Sequence, residues 1–315
     1  MVNVYFTFEP REDLKQPLIA EFPQVDFGFD AKLDTEKLSA AEILVTYGED
    51  LTAEHLQYAE KLQWIFVASA GVEKMPAEAI AARNILVSNV RGIHKKPMTE
   101  SILAHILAYK RALPFVYEQQ KKHEWNKKAR LSELNGSTAL IIGPGAIGGE
   151  IGRILQAFDV YTIGCNRSGE QALFMNETHK LDVLKEQLPK ADIVISMLPS
   201  TAETKHLLTR EHFEVMKDSA LFMNFGRGDL VKTDTLIEVL KDELIAHAVL
   251  DVYESEPLPA ESPLWSLENV TVSPHFSSHS SRYVERSLAI FKPSLQQWLA
   301  GERDLENKMD ILRGY

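Results

Sequence analysis

Residues 138–153 read TALIIGPGAIGGEIGR, and this stretch decides the fold class of the chain. An apolar run typical of a strand ends in Gly143-Pro144-Gly145-Ala146-Ile147-Gly148, and a helical pattern follows at once. In such a strand–turn–helix unit, the first glycine makes the tight turn and the second lets backbone N–H groups approach a pyrophosphate. The third lets the helix pack on the strand. Because the pyrophosphate then lies at the positive end of the helix, the stretch predicts a nicotinamide dinucleotide site formed by residues 143–148.

The far end of this unit indicates which dinucleotide is bound. A second β-branched run, residues 160–163, leads to the polar tip Asn166-Arg167-Ser168. A carboxylate at this tip would bind the ribose 2′-OH and repel a 2′-phosphate, whereas Arg167 can pair with that phosphate through two hydrogen bonds. The tip therefore favours NADP(H) over NAD(H), although NAD(H) stays possible. The alternative is that Arg167 is a solvated turn residue.

Bulk properties narrow the class of protein. The length of 315 residues suggests about two domains. The formal charge of −11 argues against a nucleic-acid or anionic membrane partner. A single cysteine, Cys165, excludes an intramolecular disulfide and a cysteine-based metal cage, and we predict no metal site. Since the N-terminal residues lack a secretion signal and no apolar run reaches membrane-spanning length, we expect a cytoplasmic protein.

Strand and helix patterns alternate along the chain. Four strand patterns precede residue 97 and six follow residue 137, with helical patterns between them. This alternation predicts parallel sheets with helices on both faces. Residues 97–118 read as one extended helix, and a last helix from about residue 281 should pack back on the first domain. The predicted domains are residues 1–97 with 281–315, and residues 98–280.

Candidate catalytic residues follow three strand patterns downstream of the glycines. Arg227 follows residues 221–225, Asp251 and Glu256 follow residues 245–250, and His275 follows residues 270–272. Because ligands of open α/β sheets bind at the carboxyl ends of strands, these side chains should lie on the cofactor side. Carbonyl reduction needs a fixed cation, a proton donor and an acidic partner that orients the donor. The sequence thus predicts a reductase.

Along almost its whole length the chain resembles the D-isomer-specific 2-hydroxyacid dehydrogenases. The matching segments are Ala70-Gly71-Val72, Thr99-Glu100, Trp125, residues 143–148, Leu198-Pro199, Glu203-Thr204, Asn224-Phe225-Gly226-Arg227-Gly228, Leu250-Asp251-Val252, Glu256-Pro257-Leu258-Pro259, Ser262-Pro263-Leu264-Trp265 and Ser273-Pro274-His275. The tip at residues 166–168 and the ending Arg313-Gly314-Tyr315 are similar to the glyoxylate/hydroxypyruvate reductase branch that uses NADPH.

The resemblance implies a role for each matched residue. Arg227 would bind the substrate carboxylate and keto oxygen, His275 would donate the proton, and Glu256 would orient His275. Backbone N–H groups of Ala70 and Gly71, which come from the first domain, would hold the carboxylate. Asp251 would support the acid pair or the cofactor side. The further cofactor-binding residues implied are Gly143, Gly145, Ala146, Ile147, Gly148, Asn166, Arg167, Ser168, Leu198, Pro199, Thr204, Phe225, Gly226, Asp251 and His275.

The same resemblance implies the architecture and the reaction. The fold would consist of two Rossmann-like or flavodoxin-like α/β domains with parallel sheets, a substrate-binding domain and a dinucleotide-binding domain, with the active site in an interdomain cleft. The reaction would reduce a small 2-keto acid, glyoxylate or hydroxypyruvate, to the D-2-hydroxy acid with NADPH. A homodimer is expected through residues 97–118 and the region of Trp125.

Some alternatives stay open at this point. A non-catalytic dinucleotide-sensing protein would keep the glycine motif on the same fold, and a dehydrogenase of this family could act on another substrate such as 3-phosphoglycerate. Glu254 lies close enough to Glu256 to be mistaken for the partner of His275. Lys95 and Lys96 are either solvated lysines or groups that attract an anionic substrate.

Overall fold

A computed structural model describes residues 1–69, 71–72 and 74–312. The chain forms two compact units, Met1–Ile93 with Ser280–Tyr315, and His94–His279. The first unit therefore ends at residue 93 and resumes at residue 280, whereas the predicted first domain ends at residue 97 and resumes at residue 281. The first shift has a structural cause, since the helix that contains Pro97 already begins at Lys95 and belongs as a whole to the second unit.

The first unit is built on one parallel sheet. Its strands are β1 (Val2–Phe6), β2 (Val25–Phe29), β3 (Ile43–Thr46), β4 (Trp64–Val67) and β5 (Leu86–Asn89). Its helices are α1 (Glu12–Glu21), α2 (Thr35–Ala40), α3 (Ala53–Tyr58), α4 (Ala77–Ala82) and a C-terminal helix (Tyr283–Leu299). The strand order is β2-β1-β3-β4-β5, and every pair is parallel.

The C-terminal helix packs against the sheet of the first unit, as its apolar periodicity predicts. Phe291 and Trp298 stack on Trp64 of β4, with ring centroids 5.6 and 5.4 Å from the Trp64 ring. Leu295 is fully buried in the same cluster. Offset aromatic contacts of this kind add to the burial of apolar area, so the last helix completes a core that begins near the N-terminus.

The second unit contains a seven-stranded parallel sheet. Its strands are β6 (Thr138–Ile142), β7 (Tyr161–Asn166), β8 (Glu177–Lys180), β9 (Ile193–Ser196), β10 (Leu221–Asn224), β11 (His247–Leu250) and β12 (Val270–Val272). Its α-helices are α5 (Lys95–Lys110), α6 (Leu113–Lys122), α7 (Ala146–Gln156), α8 (Leu184–Gln187), α9 (Arg210–Glu214) and α10 (Thr233–Lys241). The strand order is β12-β11-β10-β9-β6-β7-β8. The order in which the strands are added to the sheet reverses at the pair β6–β9, and ligands of such sheets bind at this switch point. The two parallel-sheet units confirm the predicted α/β fold class.

The single helix predicted over residues 97–118 is wrong, because α5 and α6 are separate helices. α5 ends at Lys110, and Ala112 has the left-handed backbone angle φ 50° before α6 starts at Leu113. Pro114 explains the break, since it lacks an N–H and its ring would clash with the carbonyl of Lys110 in a continuous helix.

Within the described residues, no helix is long and apolar enough to cross a membrane.

Candidate active site

The glycine-rich turn between β6 and α7 has the geometry of a dinucleotide cradle. A Cβ atom at Gly148 would lie 2.6 Å from the carbonyl oxygen of Gly143, so only glycine lets α7 approach the end of β6 this closely. A Cβ atom at Gly145 would meet nothing within 4 Å. Gly145 precedes the first residue of α7, Ala146, and the open space therefore lies at the positive end of a helix of 11 residues. These features fit a pyrophosphate.

The polar tip after β7 is ordered by the Asn166 side chain. Its Oδ1 accepts hydrogen bonds from the Gly169 N–H at 2.6 Å and the Ser168 hydroxyl at 3.3 Å, and its Nδ2 donates to the Glu170 carbonyl at 2.9 Å. The adjacent Arg167 side chain is exposed. The polar groups of the Asn166 side chain therefore form hydrogen bonds within the turn. The Arg167 side chain faces solvent, where a ligand could contact it.

The loop after β9 lies next to the glycine-rich turn, because β9 pairs with β6. Thr204 holds the loop closed, since its hydroxyl donates to the Pro199 carbonyl at 2.6 Å and accepts the Thr201 N–H at 2.8 Å. Leu198 is buried at its start, and Pro199 is exposed. The predicted cofactor residues Leu198, Pro199 and Thr204 thus lie on one compact loop at the carboxyl end of the sheet.

Arg227 is presented by a rigid turn that follows β10. The buried Asn224 side chain spans the turn, accepting the Gly226 N–H at 3.2 Å and donating to the Arg227 carbonyl at 2.9 Å. Phe225 is also buried, whereas the Arg227 side chain is exposed, with Nη1 donating to the Gly226 carbonyl at 2.9 Å. The backbone is therefore fixed, and the side chain that it presents is exposed.

The structure pairs His275 with Glu256. The distance from His275 Nδ1 to Glu256 Oε2 is 2.7 Å, and the two side chains are 46% and 35% exposed. Because Nδ1 faces the carboxylate, Nε2 points away from it. Glu254, the nearby alternative, lies 2.9 Å from His206 Nε2 and accepts the Thr233 N–H instead. The pair is the carboxylate–imidazole arrangement that fixes a histidine tautomer.

Asp251 anchors the loop that carries His275. Its carboxylate is 1% exposed and accepts four hydrogen bonds, from the Ser273 and Ser277 hydroxyls, the Phe276 N–H at 3.2 Å and the Ser277 N–H at 3.3 Å. His275, inside this loop, has the left-handed angle φ 50°, which non-glycine residues rarely adopt. The contacts of Asp251 are thus to the loop on either side of His275, and its supporting role stays a prediction.

The remaining predicted residues are distributed as follows. Ala70 lies outside the described residues, and Gly71 follows β4 in the first unit, where its carbonyl accepts the Ser69 hydroxyl at 2.8 Å. Lys96 Nζ lies 3.0 Å from Glu150 Oε1 of α7. Hydrogen bonds from Arg153 and then Lys96 lower the pKa of Glu150 to about 2. Lys96 therefore links α5 to α7. In the part of the chain that the structure describes, no cluster of three His, Cys, Asp or Glu side chains could hold a metal.

Comparisons with known proteins agree with this geometry. The family model for the NAD-binding domain of D-isomer-specific 2-hydroxyacid dehydrogenases matches residues 103–277. Glyoxylate/hydroxypyruvate reductase B of Pectobacterium atrosepticum is 30% identical over 289 residues, 89% of each chain. D-3-phosphoglycerate dehydrogenase of Methanocaldococcus jannaschii is 32% identical over 271 residues, 85% of this chain, which spans about half (51%) of that relative's length.

A solved structure extends the match to both units. A D-isomer-specific 2-hydroxyacid dehydrogenase family protein from Aeromonas salmonicida has a TM-score of 0.86 and 30% identity, covering 98% of this chain and 99% of that one. The matched NAD-binding domain includes the glycine turn, the Asn166 tip and all three candidate catalytic residues. The predicted class of cofactor is thereby confirmed. The chain belongs to the D-isomer-specific 2-hydroxyacid dehydrogenase family, whose members are NAD(P)-dependent oxidoreductases.

Proposed function

We propose that this protein reduces a small 2-keto acid of the glyoxylate or hydroxypyruvate type to the D-2-hydroxy acid, with NADPH as the preferred cofactor. The observation that carries the proposal is the 2.7 Å contact between His275 Nδ1 and Glu256 Oε2, beside the strand that presents Arg227. The name of the Pectobacterium atrosepticum relative, glyoxylate/hydroxypyruvate reductase B, supports the substrate class.

Each of the three side chains has one task in this reaction. The exposed Arg227 guanidinium binds the substrate carboxylate and draws electron density toward the keto oxygen. Glu256 holds the imidazole of His275 in one tautomer and balances its positive charge. When bound, the reduced nicotinamide supplies the hydride that the keto carbon receives. His275 Nε2 gives its proton to the keto oxygen, which becomes the hydroxyl of the product.

The second unit supplies the cofactor site in this proposal. Backbone groups of the turn at Gly145 and Ala146 hold the pyrophosphate in the open space at the start of α7. Arg167 pairs with the 2′-phosphate, and Ser168 adds a hydroxyl at the same tip. Replacing Arg167 with Asp should therefore move the preference toward NADH, which the ratio of kcat/KM for the two cofactors measures. An unchanged ratio would mean that Arg167 does not read the 2′-phosphate.

The family resemblance implies one further substrate contact, from the backbone N–H groups of Ala70 and Gly71. Ala70 lies outside the described residues, so this part of the proposal concerns Gly71. The hydrogen bond from the Ser69 hydroxyl to the Gly71 carbonyl supports this role, because it restrains Gly71. Ser69→Ala should then raise KM for the keto acid more than KM for NADPH. If only the KM for NADPH changed, the proposed substrate contact in this segment would be wrong.

We also propose that the protein is a homodimer. Apolar side chains are exposed on α6 and on the segment that follows it, where Val116 is 48%, Tyr117 56%, Leu131 54% and Trp125 91% exposed. A group of this kind is typical of a surface that a partner covers. Light scattering coupled to gel filtration tests the proposal: we expect a mass of two chains, and a shift toward one chain in Trp125→Ser. A monomeric wild type would contradict it.

A substrate panel tests the central proposal. We expect NADPH oxidation with glyoxylate, hydroxypyruvate or pyruvate, followed by its absorbance, and a slower reaction with NADH. His275→Ala should lose most of the rate, because its side chain gives the proton to the keto acid. Faster turnover of 3-phosphohydroxypyruvate would favour the substrate class of the Methanocaldococcus jannaschii relative. Tight NADPH binding without turnover of any keto acid would favour a dinucleotide-sensing protein.

A further inference from the structure

The hydroxyl of Tyr253 lies between the ends of β11 and β12. It donates to the carbonyl of Leu250 at 2.7 Å, accepts the N–H of Ser273 at 3.1 Å, and lies 3.0 Å from the Ser273 carbonyl oxygen. Burial raises the pKa of Tyr253 to about 12, so the hydroxyl keeps its proton at neutral pH. Since Ser273 is two residues before His275, this hydroxyl fixes the point from which the histidine loop leaves the sheet.

The backbone of Tyr253 orients the carboxylate of Glu256. Its N–H donates to Oε1 at 3.0 Å, while the other oxygen, Oε2, faces His275 Nδ1 at 2.7 Å. The two oxygens of Glu256 therefore have different partners. A rotation of the carboxylate away from His275 would break the bond to Tyr253 as well.

The same backbone packs directly on the turn that presents Arg227. A Cβ atom at Gly228 would lie 1.9 Å from the carbonyl carbon and 2.1 Å from the carbonyl oxygen of Tyr253. No side chain can occupy that position, so the turn after β10 and the segment after β11 touch backbone to backbone. Any movement of Tyr253 would therefore move the residue that follows Arg227.

We infer that Tyr253 is a positioning residue that holds the segments of Arg227, Glu256 and His275 in one fixed arrangement. This inference rests on the proposed function and deepens it. Tyr253 does not touch the reacting atoms. Its backbone links the Arg227 turn to the Glu256 carboxylate, and its hydroxyl ties this link to the start of the His275 loop.

The substitution Tyr253→Phe isolates the hydroxyl, because ring and backbone are kept. Loss of one buried hydrogen-bonding group should lower kcat about three- to tenfold, with KM for NADPH unchanged. The pH–rate profile of kcat should also differ from that of the wild type, because the hydroxyl helps to place the acid pair. Tyr161→Phe is the matched control, because that tyrosine is 47% exposed at the start of β7. Its kcat and pH profile should match the wild type.

Coupling to the acid pair separates positioning from a general loss of stability. In a double-mutant cycle, Tyr253→Phe should cost much less in a Glu256→Gln background, because the carboxylate that it helps to place is gone. Purely additive effects would overturn the inference. A wild-type kcat and pH profile in Tyr253→Phe would do the same, whatever the change in unfolding temperature.

A spectroscopic signal makes the result independent of turnover. The Nδ1 proton of His275 in its bond to Glu256 should give a downfield proton resonance, assigned by its absence in His275→Ala. We expect this signal to broaden or shift in Tyr253→Phe and to stay in Tyr161→Phe. If the wild type reduces no keto acid, the proposed function fails, yet this signal still decides: an unchanged resonance in Tyr253→Phe overturns the inference.

Discussion

Asp251→Asn should destabilise the protein and slow catalysis through one buried group. The carboxylate is 1% exposed, and its two oxygens accept four hydrogen bonds from the segment 273–277. Asparagine replaces one oxygen with an NH₂ group, so the backbone N–H at that oxygen meets another donor, while the serine hydroxyl there can turn and accept from the NH₂. The remaining bonds lose their charged acceptor. Bonds to a charged acceptor contribute about 1.5–3 kcal/mol each. We therefore expect the free energy of unfolding to fall by about 3 kcal/mol or more.

The catalytic effect follows from the backbone of His275. Its left-handed angle, φ 50°, costs about 1–3 kcal/mol and persists only while its surroundings enforce it. The bonds from the N–H groups of Phe276 and Ser277 to Asp251 provide that enforcement. Without them the loop should relax and move the imidazole from its position by a fraction of an ångström to an ångström. Misplacement on this scale lowers kcat by roughly ten- to a hundredfold.

Two measurements and one control check this prediction. Urea unfolding gives the stability, and steady-state NADPH oxidation with the preferred keto acid gives kcat. Asp182→Asn makes the same chemical change at an exposed position of the same unit and should leave both unchanged. The reasoning is refuted if Asp251→Asn unfolds at the same urea concentration as the wild type and keeps its kcat.

Three further predictions concern packing and titration. Gly148→Ala should lower stability by about 1–3 kcal/mol, because its Cβ would lie 2.6 Å from the Gly143 oxygen; Gly145→Ala, which meets nothing, should keep its urea midpoint but bind NADPH more weakly. Equal urea midpoints would contradict this. Burial raises the pKa of Cys165 to about 12, so the thiol should react with a disulfide reagent only after unfolding; rapid labelling of the native protein would be inconsistent with that. Burial lowers the pKa of His247 from 6.5 to about 4. The unfolded chain then binds this proton more readily, and stability should fall between pH 6.5 and 4 by about 3 kcal/mol. In His247→Gln the free energy of unfolding, measured with urea, should fall less between these two pH values, by that amount. Equal losses in the variant and the wild type would contradict this prediction.

Strands with buried, β-branched sequences were predictable, whereas two edge strands were not. β8, Glu177–Lys180, has the sequence ETHK and pairs with β7 only, at the margin of the sheet. β2, Val25–Phe29, is likewise an edge strand. These two edge strands bury little, so backbone hydrogen bonds hold them and the side-chain pattern that predicts inner strands is weak in both. Pro114, by contrast, was a readable signal for the break between α5 and α6.

The candidate site was predictable to the level of strand ends. Parallel strands bring their carboxyl ends to one edge, so Arg227, Glu256 and His275 could be assigned to the same side of the sheet from the sequence. Spacing could not decide between Glu254 and Glu256, because both are within reach of a loop of unknown path. Tyr253 carried no signal, since its contacts depend on where β12 ends relative to β11.

The segment 251–254 explains how the candidate site can be ordered although its side chains are exposed to solvent. Asp251 anchors the His275 loop, Tyr253 contacts the Arg227 turn and the end of β12, and Glu254 binds His206 beyond the loop after β9. The loops after β9, β10 and β12 are thus tied to the end of β11. The candidate catalytic side chains can be exposed because the backbone and the buried groups beneath them order the site. The backbone and the buried groups at the carboxyl edge of the sheet therefore make the site rigid. Preorganised electrostatic catalysis requires such rigidity.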